Sequence, residues 1–184
     1  MLKPKEIKEW SDFLDGPLGV RGNWVVGNVE TRIAWPVAPE EINFKGRTFW
    51  IIPITMSAYP GIATKILGPD DRDDAHKAIM RLVSAICWVE SGGAIVQDFT
   101  GGSLPHPAGR DKKSGFAIRD KFDFTYLPEV DDERALLALA LMREGYGLNH
   151  PAYSFLTFYR VLESAFPDGR KRGKWMSERI ESLL

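Results

Sequence analysis

The chain is short of several things at once, and each shortage closes off a class of explanation. It holds a single cysteine, Cys87, so no intramolecular disulfide can staple it, which fits a reducing compartment. Its longest apolar run, Ala135 to Met142, falls far short of the roughly 20 residues that span a bilayer. The opening "MLKPKEIKEW" carries charge throughout and lacks the apolar stretch of a secretory signal. Neither sign of charge dominates: 24 basic residues face 25 acidic ones, for a net charge of −1. No whole-molecule field therefore draws the chain to nucleic acid or a membrane, and such binding would need a local patch. Three scattered histidines and one cysteine give no metal-ligand spacing, so neither metal nor cofactor is expected. "GPLGVRG" and "TGGS" do not stand in the strand–glycine loop–helix order of a phosphate-binding loop, and GxSxG is missing. A cytoplasmic protein with no membrane partner is the expectation.

What is present reads as α+β. The apolar fraction of 44% and aromatic fraction of 11% are enough for a packed core, which excludes a mainly disordered chain. Trp10, Phe13 and Leu14 lie at helical spacing before "GPLGVRG" breaks the pattern. From Asn23 the period changes. "NWVVGNVETRIAWP", "EINFKGRTFWIIPIT" and "GIATKILGP" are rich in β-branched and aromatic residues, with Lys45-Gly46 as a hairpin turn. "DDRDDAHKAIMRLVSAICWVES" has an acidic first turn, and Ala75, Ile79, Leu82, Val83 and Ile86 repeat along one helical face. "GGAIVQDFTGG" predicts a short strand between two turns. Residues 101–115 predict a long loop, and "FAIRDKFDFTYLP" one or two edge strands.

The remainder reads as helical. "DDERALLALALMREG" has an almost all-round apolar body and predicts a central buried helix. The next helix runs from Pro151 to Phe166, with Phe155, Leu156, Tyr159, Leu162 and Phe166 on one stripe and Asn149 or His150 at its cap. After "PDGRKRG" a third helix is expected from about Lys174 to an apolar end at Leu183–Leu184. That end docks on the β part, meets a partner, or marks a fragment of something longer. The fold class is thus a small, mostly antiparallel β part with one packed helix over 1–115. Edge strands and a helical part follow over 116–184.

At "LALALMREGYGLNHPAYSFLTFYRVLESAF" the sequence resembles the methylamine-utilisation MauJ-like proteins. "WVVGNVETRIAWP", "RLVSAICWVESGG" and "TGGSLP" also look like that family's N-terminal region. The resemblance implies a β-rich start followed by helices similar to HEPN domains. Many HEPN domains are metal-independent ribonucleases of defence and toxin systems with an R-x(4–6)-H motif, and others only bind. Arg143 and His150 fit that spacing, although Glu144 stands where the motif usually has Asn, Asp or His.

The chemistry can be weighed from both sides. Histidine titrates near neutrality and suits general acid/base work, and an arginine fork suits a phosphate. On that reading His150 moves the 2′-hydroxyl proton while Arg143 clamps the phosphate. The competing reading is structural: an arginine in a last helical turn, a glycine stop and a cap. Arg170, Lys171, Arg172 and Lys174, with Trp175 beside them, form the one dense basic run. They could hold an RNA backbone and stack a base, or simply be a solvated interhelical turn. Tyr153, Phe158 and Tyr159 offer either an aromatic surface for a partner or core. The leading expectation is a bacterial defence component that binds RNA and cleaves it without metal. The alternative is a non-catalytic module whose helices form a homodimer or dock a larger effector.

Overall fold

The computed structural model describes residues 7–110 and 117–181. Its centre is a five-stranded sheet built from β1 (Trp24–Thr31), β3 (Glu40–Phe44), β4 (Arg47–Ile52), β5 (Gly61–Lys65) and β6 (Ala94–Gly102). Their order is β3-β4-β5-β1-β6, with every neighbour antiparallel. The β3–β4 hairpin turns at Lys45 and Gly46, both with positive φ (52° and 76°), the pairing that suits the twist of a two-residue hairpin.

Strand alternation splits the sheet into two buried faces. Val25, Val29, Ile42, Phe49, Ile51 and Ile62 point to one face, under helix α1 (Arg72–Val89). Trp24, Val26, Ile52 and Ala63 point to the other, covered by two 3₁₀ turns at Trp10–Phe13 and Pro17–Gly19. The amphipathic start expected at Trp10 and Phe13 is therefore core, although it is not α-helical. The helix expected over 70–90 forms, and all five residues of its predicted apolar face are buried.

Register slips by one residue in the β1–β6 pair. Asn28 faces Asp98 while Val29 faces Val96, so Gln97 is extra and the strand bulges there. The bulge lets Val96 and Phe99 both point under α1, where a Cβ on Gly27 would meet them and Ile79. For this reason "GGAIVQDFTGG" reads as a short strand between turns, yet runs over nine residues, eight of them paired with β1. Asn28, fully buried, uses its amide to fasten the following loop. It donates to Asp98 Oδ1 (2.8 Å) and Thr100 Oγ1 (3.0 Å), and accepts from the Ala108 N–H (2.8 Å).

The expected edge strands near residue 120 are nearly absent. Only β7 (Ile118–Arg119) pairs, and it does so in parallel with β2 (Trp35–Pro36), away from the main sheet. Phe122 instead turns inward against Trp35, ring centres 5.1 Å apart, and joins the core beneath α1. Its N–H donates to the Glu40 carboxylate (3.1 Å to Oε1), whose pKa is raised by burial against the lowering effect of that bond. Aromatic alternation there marks plugs at a core's end, which strand pattern alone does not distinguish.

Helix α2 (Glu133–Gly147) begins at Asp132, whose carboxylate accepts from the Ala135 N–H at 2.9 Å, a cap worth about 1 kcal/mol. It packs on α1, β6 and the antiparallel helix α3 (Pro151–Ala165). The all-round burial expected of α2 fails: Leu139, Leu141 and Gly145 are buried, but Leu137 is 48% exposed. Helix α4 (Gly169–Glu181) starts several residues before Lys174, because Asp168 accepts from the Arg170 N–H at 2.8 Å and opens the helix inside the basic run. Leu183 and Leu184 lie outside the described residues, as do 111–115 of the expected loop and residue 116 of the expected edge strands. Among the described residues no helix is long and apolar enough to cross a membrane.

Candidate functional site

The turn between α2 and α3 is where the sequence concentrates its candidate chemistry. Arg143 lies on α2 with its guanidinium turned inward against α1: Nη1 is 3.5 Å from the Met80 sulfur. Burial lowers its pKa, with Cys87 and Glu144 acting the other way. Cys87 beside it is buried, and desolvation pushes its thiol up to about 12. His150 lies at the N-cap of α3, exposed, its ring 4.7 Å from that of Tyr153. Its carbonyl accepts from Ser154 N–H, but its side chain makes no cap bond. Among the described residues no hydrogen bond, ion pair or ring contact links Arg143 with His150; one neighbours α1, the other α3.

The basic run divides in the same way. Arg172 fastens α4 to α3: its Nε donates to the Tyr159 hydroxyl (3.2 Å) and its Nη1 to the Phe166 carbonyl (3.0 Å). Its Nη2 lies 3.5 Å from Glu163. Trp175 packs on Phe166, ring centres 5.3 Å apart. Arg170, Lys171 and Lys174 remain exposed, Lys171 one turn before Trp175 and Lys174 3.8 Å from Glu178. The dense run is therefore half staple and half solvated face.

On α3 the predicted apolar stripe is uncovered at Phe155 and Leu156, while Tyr159, Leu162 and Phe166 are half-buried; Tyr153 lies off the stripe. Phe155 is 65% exposed, Leu156 54% and Tyr153 61%, whereas Phe158 turns in against Tyr146 and over Gly145. Isolated exposed apolar residues need no explanation, but Phe155 and Leu156 are exposed side by side on one helix.

A third feature was not foreseen. Where β1 leaves the sheet and β6 enters it, a cleft of about 350 Å³ opens, closed on one side by Tyr146, Gly147 and Asn149 of the same turn. Arg32 stands on its rim and donates to Asn149 Oδ1 at 3.0 Å. Arg110 reaches it from the loop that Asn28 anchors, with its own N–H on the Ser57 carbonyl (3.0 Å). Burial lowers the Arg110 pKa, and the nearby Tyr59 acts to raise it. Ile33, Trp35 and Ile54, all buried, give the cleft apolar walls. Neither arginine has a spacing signal: one closes a strand and the other sits in a glycine- and proline-rich loop. The "EGYGLN" stretch did mark the place, through different residues.

With this geometry in view, comparison with known proteins is informative for the helical part. Residues 138–184 match the family model described as methylamine utilization protein MauJ. That stretch runs from within α2 to the end of the chain, and it supports the MauJ-like resemblance read from the sequence. The match does not bear on a HEPN-like character, and Arg32 and Arg110 lie outside it. No curated protein and no solved structure matches the chain.

Proposed function

We propose that this protein is a non-catalytic interaction module that pairs with a second copy of itself through α3. The observation that carries the reading is the uncovered stripe of Phe155 and Leu156 beside half-buried Tyr159 and Leu162. Charge favours self-pairing. Arg160 and Glu163 lie on the same flank of the stripe, and an antiparallel pair about a two-fold axis brings like flanks together. Each Arg160 then approaches the partner's Glu163, whose carboxylate stays half-exposed beside its own Arg172. Catalysis is less well supported, because Arg143 is turned toward Met80 rather than toward His150.

Sedimentation at 10–100 μM, on the order of concentrations that populate micromolar complexes, tests the pairing. The wild type should run as a dimer, and Phe155→Asp and Arg160→Glu, both at exposed positions, as monomers of unchanged helicity. A wild type that stays at the monomer mass of 20.7 kDa would sink the reading.

RNA binding is the second reading, favoured by the exposed Arg170, Lys171 and Lys174 on one side of α4. It expects retention of a mixed RNA pool that weakens steeply with salt and is lost when all three become Gln. Cleavage in EDTA by the wild type but not by His150→Ala would extend that reading to ribonuclease activity. An unretained, intact pool would remove both.

A further inference from the structure

We propose that a groove on the outer face of the sheet, beside the β3–β4 hairpin, docks an extended segment of a partner protein. That segment carries a basic and an acidic residue four positions apart, with an apolar residue midway between them. The groove is separate from the α3 stripe, so the proposal does not depend on self-pairing.

The groove exists because cover is incomplete. The two 3₁₀ turns close over Trp24, Val26, Ile52 and Ala63 but leave Glu41, Thr48 and Lys65 exposed on the same face. The space left is about 590 Å³, within the range of ligand sites, and its walls are accessible. Val20 and Leu67 on its rim are 51% and 95% exposed. Trp50 is half-buried, and its indole N–H makes no hydrogen bond among the described residues. The Thr48 hydroxyl is likewise unbonded within the described residues, so both donors are open to a peptide carbonyl.

Charge and spacing select the ligand. Arg47 and Asp71 neutralise each other at the edge of the groove. Glu41 and Lys65 remain, of opposite sign and without an ion pair among the described residues. Glu41 stands opposite Trp50, Trp50 opposite Ala63, and Lys65 follows two residues on. Two strand spacings and two residues of rise set the Glu41 and Lys65 Cα atoms about 12 Å apart, with Trp50 and Thr48 between them. An extended chain covers about 13 Å over four residues, and its residues i, i+2 and i+4 point to one side. A basic side chain thus meets Glu41, an acidic one meets Lys65, and the middle one lies on Trp50.

The Lys65 end is already ordered. Its Nζ lies 5.0 Å from the centre of the Trp24 ring, which reduces the ordering cost of binding. The Trp24 indole N–H holds the Val20 carbonyl at 3.0 Å, so Val20 and nearby Leu67 flank this end and suit a further apolar residue beside the acid. A nucleic-acid strand would also stack on Trp50, but Glu41 and Asp71 line the same groove and repel its phosphates.

Calorimetric titration of the full chain with the end-blocked peptide Lys-Thr-Leu-Thr-Asp-Leu tests this. The wild type should bind it with a Kd on the order of 0.1–1 mM, as suits so short a ligand. Lys65→Glu should weaken it roughly three- to tenfold and strengthen, by a similar factor, the peptide with lysine in place of aspartate. Arg134→Glu makes the same change of net charge on α2 and should leave both affinities as in the wild type. Leu67→Ser alters an almost fully exposed side chain and should weaken both peptides with the melting temperature unchanged. No binding by the wild type up to about 2 mM, or equal effects of Lys65→Glu and Arg134→Glu, overturns the proposal. So does tighter binding of oligothymidylate than of the peptide, which would make the groove a nucleic-acid surface.

Discussion

Asp71 shows how much a single side chain at a joint can carry. Its carboxylate accepts from Arg47, which reaches across from β4, and from the Leu67 N–H at 3.0 Å, fixing the turn that launches α1. The Arg47 guanidinium, then the Leu67 N–H, hold its pKa below the usual carboxylate value. A depressed folded-state pKa means the unfolded chain binds the proton more readily. The stabilisation is therefore complete above the unfolded value of about 4 and is lost as pH falls through the folded one. Asp71→Asn should cost about 1 kcal/mol at pH 7, a modest figure because both partners are partly solvated. Thermal unfolding from pH 7 down to pH 2.5 should show the two proteins converging at the acid end. At this scale the sequence was only partly legible. The acidic residues of the first turn of α1 read as dipole partners, and Arg143 as a phosphate clamp or a last-turn arginine. The true neighbours, Arg47 and Met80, come from elsewhere in the chain and are set by packing.

Elements with a regular period were the most legible. The alternating strands, the Lys45-Gly46 turn and the face of α1 all follow from local spacing. Helix α2 misled because its leucines and alanines surround the axis, which signals burial only if cover exists on every side. How α2 seats is decided by two glycines in different elements. A Cβ on Gly93 would lie 2.2 Å from the Gly147 nitrogen, so the start of β6 touches the last turn of α2 backbone to backbone. A Cβ on Gly147 meets nothing nearer than Ile95, at 3.7 Å. Gly93→Ala should therefore cost about 1–3 kcal/mol through overpacking. Gly147→Ala should be neutral or slightly stabilising, since alanine is the better helix former. Urea unfolding of the two variants side by side checks the contrast; equal effects would refute this account of the contact.

At the scale of the whole molecule the chain has a densely packed end and an open one. The sheet is buried on both faces, and α1 lies between it and α2. Outward from there cover thins: α3 has only Thr157 buried, and α4 is held chiefly by Arg172 and the Phe166–Trp175 contact. The α+β class was legible because it needs only element types in order. The cleft was not, because it needs the end of β1, the loop after β6 and the α2–α3 turn to meet in space. The stretch with the suggestive arginine and histidine drew attention for a pairing the fold does not make, yet it forms one wall of the cleft.

The extra residue in β6 makes the strand tolerant of one particular deletion. Ahead of Gln97 the strand runs in one phase, with Ala94 buried toward α1 and Ile95 turned to the cleft; beyond it the phase is opposite. Loss of that one codon would join Val96 to Asp98 in the register they already hold on β1, so Ala94 and Ile95 would keep their faces. Substitutions could tune the cleft gradually over many generations. A single in-frame deletion at Gln97 would instead remove the bulge, and the side chain that holds Glu30, in one step while the sheet's pairing partners stayed the same.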